Sequence, residues 1–330
     1  MVHPTFKGKK ALITGGLGFI GSNLARALVD SGAEVSIVDC LLPEGGGNLF
    51  NVDDFKSRVK INTNDIRDAK IMEDLVRGQD MIFDLAAQVG HLESMEDPFT
   101  DLDINTRGQL VILEACRHFN PGVKIVFAST RQIYGKAQYL PVDEKHPANP
   151  PDINGIHKLA GENYHLLYNK AYGLKSCILR LTNVYGPGQL MKHEKHGFIA
   201  RFIKSVIEGK SFDIYGPGTQ LRDLNYIDDV VEAFLLAGEN EKSFGEVFNL
   251  GHPQPISILD TAKFLVELAG QGSFKVIQPN SERQKIDIGD YYGDFSKIEK
   301  TLGWRPNVSP KEGFKKTLEY YEKNKKHYWK

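Results

Sequence analysis

The sequence predicts an α/β fold, a doubly wound parallel sheet in the first half with a smaller α/β lobe behind it, and three observations predict it. Short apolar runs alternate with amphipathic stretches throughout the first half. Those runs are almost unbroken in apolar or β-branched residues, as parallel strands covered by helices on both faces are. A glycine-rich turn, from Gly15 to Gly21, joins the first run to the first amphipathic stretch.

The strands are expected at Ala11–Thr14, Glu34–Asp39, Val59–Asn62, Met81–Ala86, Lys124–Ser129 and Lys175–Leu181. Helices are expected between them near Phe19–Ser31, Lys70–Arg77, Arg107–Phe119 and Gly155–Tyr172. After Leu181 the alternation decays. Gly186-Pro187-Gly188 and Gly216-Pro217-Gly218 punctuate it, with a helix between them at Phe198–Glu208. A helix at Asp229–Ala237 opens with acids that suit the positive end of its dipole. Ser257-Ile258-Leu259-Asp260 reads as a helix start, and Ser309-Pro310-Lys311-Glu312 as a capping box with proline at the first helical position. No low-complexity linker divides the chain. Residues 1–182 are expected to bind the dinucleotide, with 225–250 returning to that unit, while 183–224 and 251–330 form the substrate-binding lobe.

The bulk numbers narrow the function. The 41 basic and 42 acidic residues of the 330 nearly cancel, so no overall field draws the chain to nucleic acid or an anionic membrane. Nowhere do ~18 apolar residues run together, as a membrane helix needs. The lysine-rich stretch Lys315–Lys330 reads as a solvated terminal helix. The opening residues lack a secretory signal. Cys40, Cys116 and Cys177 have no metal-ligand spacing and cannot form a disulfide framework, which fits a reducing, cytoplasmic location.

Gly15, Gly18 and Gly21 lie three residues apart between a strand and a helix. Gly15 permits the sharp turn, Gly18 lets backbone approach a pyrophosphate, and Gly21 allows the helix to pack on the strand. The diphosphate would rest on free N–H groups at the helix start, around Phe19 and Ile20. The next strand ends in Asp39, 18 residues past Gly21, where a carboxylate can accept both ribose hydroxyls. It would repel the extra phosphate of NADP, and no arginine stands beside it. The sequence therefore favours NAD on a Rossmann sheet.

The Gly15-x-x-Gly18-x-x-Gly21 spacing resembles that of the short-chain dehydrogenase/reductase superfamily. From about Lys10 to Trp304 the chain resembles its extended branch, the NAD-dependent epimerase/dehydratase family of nucleotide sugars. The motifs are Asp65-Ile66, Leu85-Ala86-Ala87, Asn105, Ser129-Thr130 through Tyr134-Gly135, Arg180 through Pro187, Arg222-Asp223 through Val230, and Asn249-Leu250-Gly251. The resemblance implies that Asp65 and Ile66 contact adenine and that Leu85, Ala86 and Ala87 border the nicotinamide ribose. It also implies a Thr–Tyr–Lys set around the sugar hydroxyl, in which the lysine ammonium lowers the tyrosine pKa. Thr130 and Lys158 match. The tyrosine should stand four residues before the lysine, on the same helical face, and Asn154 is there instead.

An amide cannot remove a proton near neutral pH, though it can donate and accept hydrogen bonds, or simply cap the helix. His91, on the loop leaving the fourth strand, is the leading substitute base. His157 neighbours Lys158 and so points off that face, and Tyr185 is a third candidate. A second departure concerns Arg131 and Gln132, which stand where the family's dehydratases carry an acid–base Asp-Glu pair. Neither exchanges protons usefully, which argues for epimerisation over dehydration. Arg131 is expected to hold a substrate carboxylate or phosphate, or else to make a surface salt bridge.

By resemblance, Asn183, Arg222 and Arg283 reach the nucleotide diphosphate, and Phe198–Tyr215 reads the base. His193-Glu194-Lys195-His196 lacks a third ligand and the four-residue spacing of helical zinc pairs, so no metal is expected. The resemblance implies an NAD-dependent nucleotide-sugar epimerase of the UDP-glucose 4-epimerase kind. The alternatives are a decarboxylase or keto-sugar reductase of the same family, or a catalytically silent NAD-binding sensor or scaffold. It also implies a homodimer through Arg107–Phe119 and Gly155–Tyr172, with Leu110, Val111 and Leu113 either in the contact or facing the sheet.

Overall fold

The computed structural model describes residues 3–43, 45–191, 197–278 and 287–329. Seven strands form the central sheet: β1 Lys10–Thr14, β2 Glu34–Val38, β3 Val59–Asn62, β4 Met81–Asp84, β5 Lys124–Thr130, β6 Lys175–Leu181 and, further on, Val247–Asn249. Their order is Val247–Asn249, β6, β5, β4, β1, β2, β3, and every neighbouring pair is parallel. The strand order reverses beside β1, so the crevice beyond the carboxyl ends of β1 and β4 is where such a sheet accepts a ligand.

Six of the strands stand where the apolar runs predict them. The seventh, Val247–Asn249, has three residues, too few to show a periodic pattern. Ala11, Leu12 and Ile13 are fully buried, as a central strand between two helix layers must be. The helices are α1 Phe19–Asp30, α2 Ala69–Val76, α3 His91–Glu96, α4 Pro98–Leu102, α5 Gly108–Phe119 and α6 Ile153–Tyr172. Asp68 starts α2 by accepting a hydrogen bond from Ile71 N–H, a standard N-cap. Between α4 and α5 the backbone makes one π turn over Asp103–Arg107, which carries Asn105.

In the second half, α7 Phe198–Ile207 leads to the strand Ser211–Tyr215, which pairs in parallel with the strand Ser273–Ile277. Helix α8 spans Ile227–Glu239 with Asp228 and Asp229 in its first turn. Ser257 caps α9 Ile258–Ala269 and Ser309 caps the helix Pro310–Asn324, each accepting from an N–H three residues on. Among the described residues no helix is long and apolar enough to cross a membrane.

Candidate active site

A cleft of about 650 Å³ opens at the strand-order reversal, lined by residues from both halves of the chain. Its first wall is backbone. Gly15 adopts a left-handed φ of +67°, and a Cβ there would press to 3.0 Å on Ala86 Cα and Leu85 O. Gly18 forms the N-cap of α1. A Cβ at Gly21 would collide with Gly15 O and lie 2.7 Å from Gly16 Cα. The unbonded N–H groups at the start of α1 therefore face open space, which suits a diphosphate. Phe19 and Ile20 line that opening.

Asp39 borders the same wall. Its carboxylate accepts Leu17 N–H and Leu41 N–H, each at 3.0 Å. Burial pushes its pKa up, against the pull of those two bonds. Asp65 and Ile66 stand further along. The Arg67 guanidinium donates to both oxygens of Asp65 and holds its carboxyl below the usual range. Leu85 and Ala86 N–H both donate at 3.0 Å to Thr14 Oγ1, whose hydroxyl donates to buried Asp84 at 2.7 Å. This ties the two strands that floor the cleft. Ala87 also lines it.

The second wall is made of side chains. Lys158 is almost fully buried on α6 and donates to Ala128 O at 2.9 Å. Burial lowers its pKa to about 8, although Asp84, Asp101 and Glu162 oppose the shift. Thr130 closes β5, and its Oγ1 accepts Gln132 N–H at 3.2 Å. Asn154 faces the cleft from the first turn of α6. Its amide nitrogen donates to Gln88 O at 2.8 Å and to Asp101 Oδ2 at 3.0 Å. Both hydrogens are thus committed inward, which leaves the carbonyl oxygen as the group to meet a ligand.

The helix cap is Asp152, not Asn154. Asp152 Oδ1 accepts Gly155 N–H at 2.8 Å, and Oδ2 accepts Gln132 Nε2 at 2.8 Å. Asp152 Oδ2 also lies 3.0 Å from His91 Nδ1. Burial raises the Asp152 pKa, but His91 and the N–H donors outweigh it and hold the carboxyl below its ordinary value. His91 is the first residue of α3 rather than part of a loop, and its half-open ring lines the cleft. His157 turns away, with Nδ1 2.7 Å from Asp101 Oδ1.

Tyr185 is withdrawn from the site. Its hydroxyl is buried without a partner, its ring stacks on Phe314, and burial drives its pKa far up. Gln132 likewise braces Asp152 and does not line the cleft. Sequence reasoning missed Asp152, Asp101 and Gln88, which hold these groups. Pro150-Pro151-Asp152 ahead of a periodic stretch was the available signal for the cap.

Asn183, Arg222 and Arg131 also line the cleft. Arg222 donates to Leu221 O at 2.8 Å and to Gly289 O, and stands 3.9 Å from Asp287. Burial, together with Arg131, lowers its pKa to about 10. Arg131 makes no salt bridge among the described residues, against the surface-pair expectation. From Phe198–Tyr215, the segment expected to read the base, Phe198, Arg201, Phe202 and Tyr215 reach the cleft, with Arg201 4.9 Å over the Tyr215 ring. Arg283 and the His193–His196 stretch lie outside the described residues.

The NAD dependent epimerase/dehydratase family matches residues 11–251 of this chain. A solved UDP-glucose 4-epimerase of Thermotoga maritima, with UDP-glucose, is 34% identical, with 96% of this chain and 99% of that one covered and a TM-score of 0.87. The UDP-glucose 4-epimerase of Thermus thermophilus, in complex with NAD, is 32% identical over 94% and 98% of the two chains, with a TM-score of 0.83. A UDP-N-acetyl-alpha-D-glucosaminuronate decarboxylase of Bacillus cytotoxicus is 32% identical over 95% of this chain and 98% of its own. The cofactor is NAD. A glycine cradle that a Cβ would fill and the Asp39 carboxylate on the same wall fit it.

Proposed function

Because the chain belongs to the NAD dependent epimerase/dehydratase family, we propose that it is a cytoplasmic epimerase of a nucleotide-diphosphate sugar in which His91 takes the role of the missing tyrosine. The observation that carries this reading is the His91–Asp152 pair. A carboxylate 3.0 Å from Nδ1 makes an ion-pair contact, short of hydrogen-bond geometry, that favours a proton on that nitrogen. Nε2 is then left as the acceptor on the cleft side. Thr130 and the Asn154 carbonyl oxygen flank the same space and can accept or orient the sugar hydroxyl. Gly15, Gly18, Gly21, Asp39 and Lys158 would hold NAD, with Asp65, Ile66 and Leu85–Ala87 along its length. NAD supplies the two-electron acceptor that a reversible oxidation of the sugar requires.

His91 would take the hydroxyl proton and give it back, and because the hydride would pass to NAD and return to the same carbon, the reaction would consume no net coenzyme. Asn183 and Arg222 bind the diphosphate, with Arg283 as a third contact. The oriented His91 speaks against a silent sensor, which needs no base in the cleft. A decarboxylase or keto-sugar reductase uses the same walls, and products separate these readings.

The test is proton NMR of the purified protein with UDP-, CDP-, GDP- and TDP-sugars, reading the anomeric signals without added coenzyme. A new epimer is expected. Loss of carbon dioxide, or turnover only with added reduced coenzyme, replaces epimerisation with one of the other two reactions. No change with any sugar, NAD being bound, favours the silent protein.

A homodimer is part of the proposal. Ile156 and Leu167, three helical turns apart on one face of α6, are exposed, and Leu110 and Val111 on α5 are only partly buried. Leu113 is not available, because it is buried in the core.

A further inference from the structure

We propose that Arg131 reads a carboxylate on the sugar, so that the preferred substrate is an acidic nucleotide sugar; this rests on the nucleotide-sugar reading above. Arg131 directly follows Thr130 and opens on the cleft. Its Nη1 is buried with no hydrogen-bond partner. Among the described residues no side chain or backbone group hydrogen-bonds it, and no carboxylate lies within ion-pair distance. Its described partner is the ring of Tyr291, 5.1 Å from the guanidinium carbon. Tyr291 is fully buried, so it serves as a fixed platform that orients the planar fork.

A part-buried cation whose Nη1 is enclosed and unbonded, with no paired anion, is a cost to the fold. Burial lowers the Arg131 pKa, opposed at longer range by Tyr291, Asp223, Asp152 and Asp287, none of which forms an ion pair with it, and Arg131 in turn lowers the Arg222 pKa. The two arginines differ in commitment. Arg222 already gives Nη1 to two backbone carbonyls and faces Asp287, whereas Arg131 is left free for a ligand.

Position separates the two anions that could fill it. Arg131 adjoins Thr130, on the wall of Lys158, Asn154 and His91 where the reacting hydroxyl sits in the proposed reaction. A group held there is a substituent of the sugar rather than the diphosphate. A carboxylate matches the guanidinium fork with two parallel hydrogen bonds.

The test is calorimetric titration of the NAD-loaded protein with UDP, UDP-glucose and UDP-glucuronate. The native protein is expected to bind UDP-glucuronate at least about 10-fold more tightly than UDP-glucose. Arg131→Gln should erase that preference while leaving UDP and UDP-glucose within about twofold, and Arg131→Lys should keep part of it. Equal affinity for the two sugars in the native protein overturns the proposal. So does an Arg131→Gln loss shared by all three ligands, which would put Arg131 on the diphosphate. Binding of none of the three strikes at the UDP-sugar reading itself, a failure distinct from the other two.

Discussion

The two walls of the cleft are built on opposite principles. The wall for the dinucleotide is backbone: Gly15, Gly18 and Gly21 leave space by having no side chain, and N–H groups supply the polarity. The wall proposed to meet the sugar is side chain upon side chain. His91 is set by Asp152, which Gln132 and Gly155 hold in turn. Asn154 is set by Gln88 and Asp101, and Asp101 also meets His157. The first wall fixes shape and tolerates no added atom. The second can change its chemistry one residue at a time without disturbing the sheet, which is how an asparagine could stand where the resemblance implies a tyrosine.

The largest effect should come from adding an atom to the backbone wall. Gly21→Ala puts a Cβ into Gly15 O and against Gly16 Cα. The clash is with backbone, so α1 must move off β1, at a cost of ~1–3 kcal/mol. The expected result is a purified protein without NAD and with a lower Tm, read from released coenzyme and a thermal melt. A variant that keeps its coenzyme would mean the first wall is as adaptable as the second.

Next comes the side-chain wall. His91→Gln keeps a hydrogen-bonding side chain near Asp152 but removes the proton acceptor. Turnover should fall about 100-fold or more while NAD content stays the same. Unchanged turnover removes His91 from the mechanism and leaves Asp152 as a helix cap only.

The same division explains what was legible in the sequence. The backbone wall could be read residue by residue, because glycine at a fixed spacing has few reasons to be there, and Asp39 stands directly after the second strand, one residue past its end. The six longer strands were legible from their unbroken apolar runs. The three-residue edge strand Val247–Asn249 was not, since it is too short for a period and is recruited by β6 across a long stretch of chain. The sugar wall was legible in its residues but not in its pairings. His91 and Asp152 are far apart in sequence, and only the fold brings them to 3.0 Å. Asn154 read as a site residue, as a cap, or as both, since the two roles are compatible. The cap went to Asp152 two positions earlier, which frees the Asn154 amide to turn inward.

Lys158 belongs to both walls, and its titration tests how they are joined. Its folded pKa of about 8 lies below the ordinary 10.5, because burial disfavours the ammonium. The unfolded chain therefore binds the extra proton between those values, and this residue's contribution to stability rises as pH climbs from about 8 to 10.5. Coenzyme retention should move the other way. If the ammonium holds the ribose, retention is full below pH 8 and falls above it. Asp84, itself pushed up to about 6 by burial, is ionised over that range and supports the ammonium. Asp84→Asn should thus shift the midpoint down by about one unit. Coenzyme content across a pH series measures both. Turnover rising through pH 8 would instead make the neutral Lys158 amine a proton acceptor.

The smallest effect expected is at Tyr185, and it is informative because it should be nearly nothing. Tyr185 stands two residues past Asn183, yet the strand Asn183–Tyr185 turns the two to opposite fates. Asn183 lines the cleft, while Tyr185 packs between Phe314 and Tyr226 at ring separations of 4.3 and 5.6 Å. Gly313 makes room for it, since a Cβ there would run into the Tyr185 hydroxyl. That hydroxyl is buried and unpaired, so its ionised form is strongly disfavoured and it cannot serve as a phenolate. Tyr185→Phe deletes an unsatisfied polar atom and keeps the packing. Turnover should be unchanged, and stability unchanged or higher by ~1 kcal/mol. A tenfold loss of turnover would show that the sugar wall reaches behind the strand Asn183–Tyr185, and it would reopen the choice of base between a histidine held by a carboxylate and a tyrosine held by nothing.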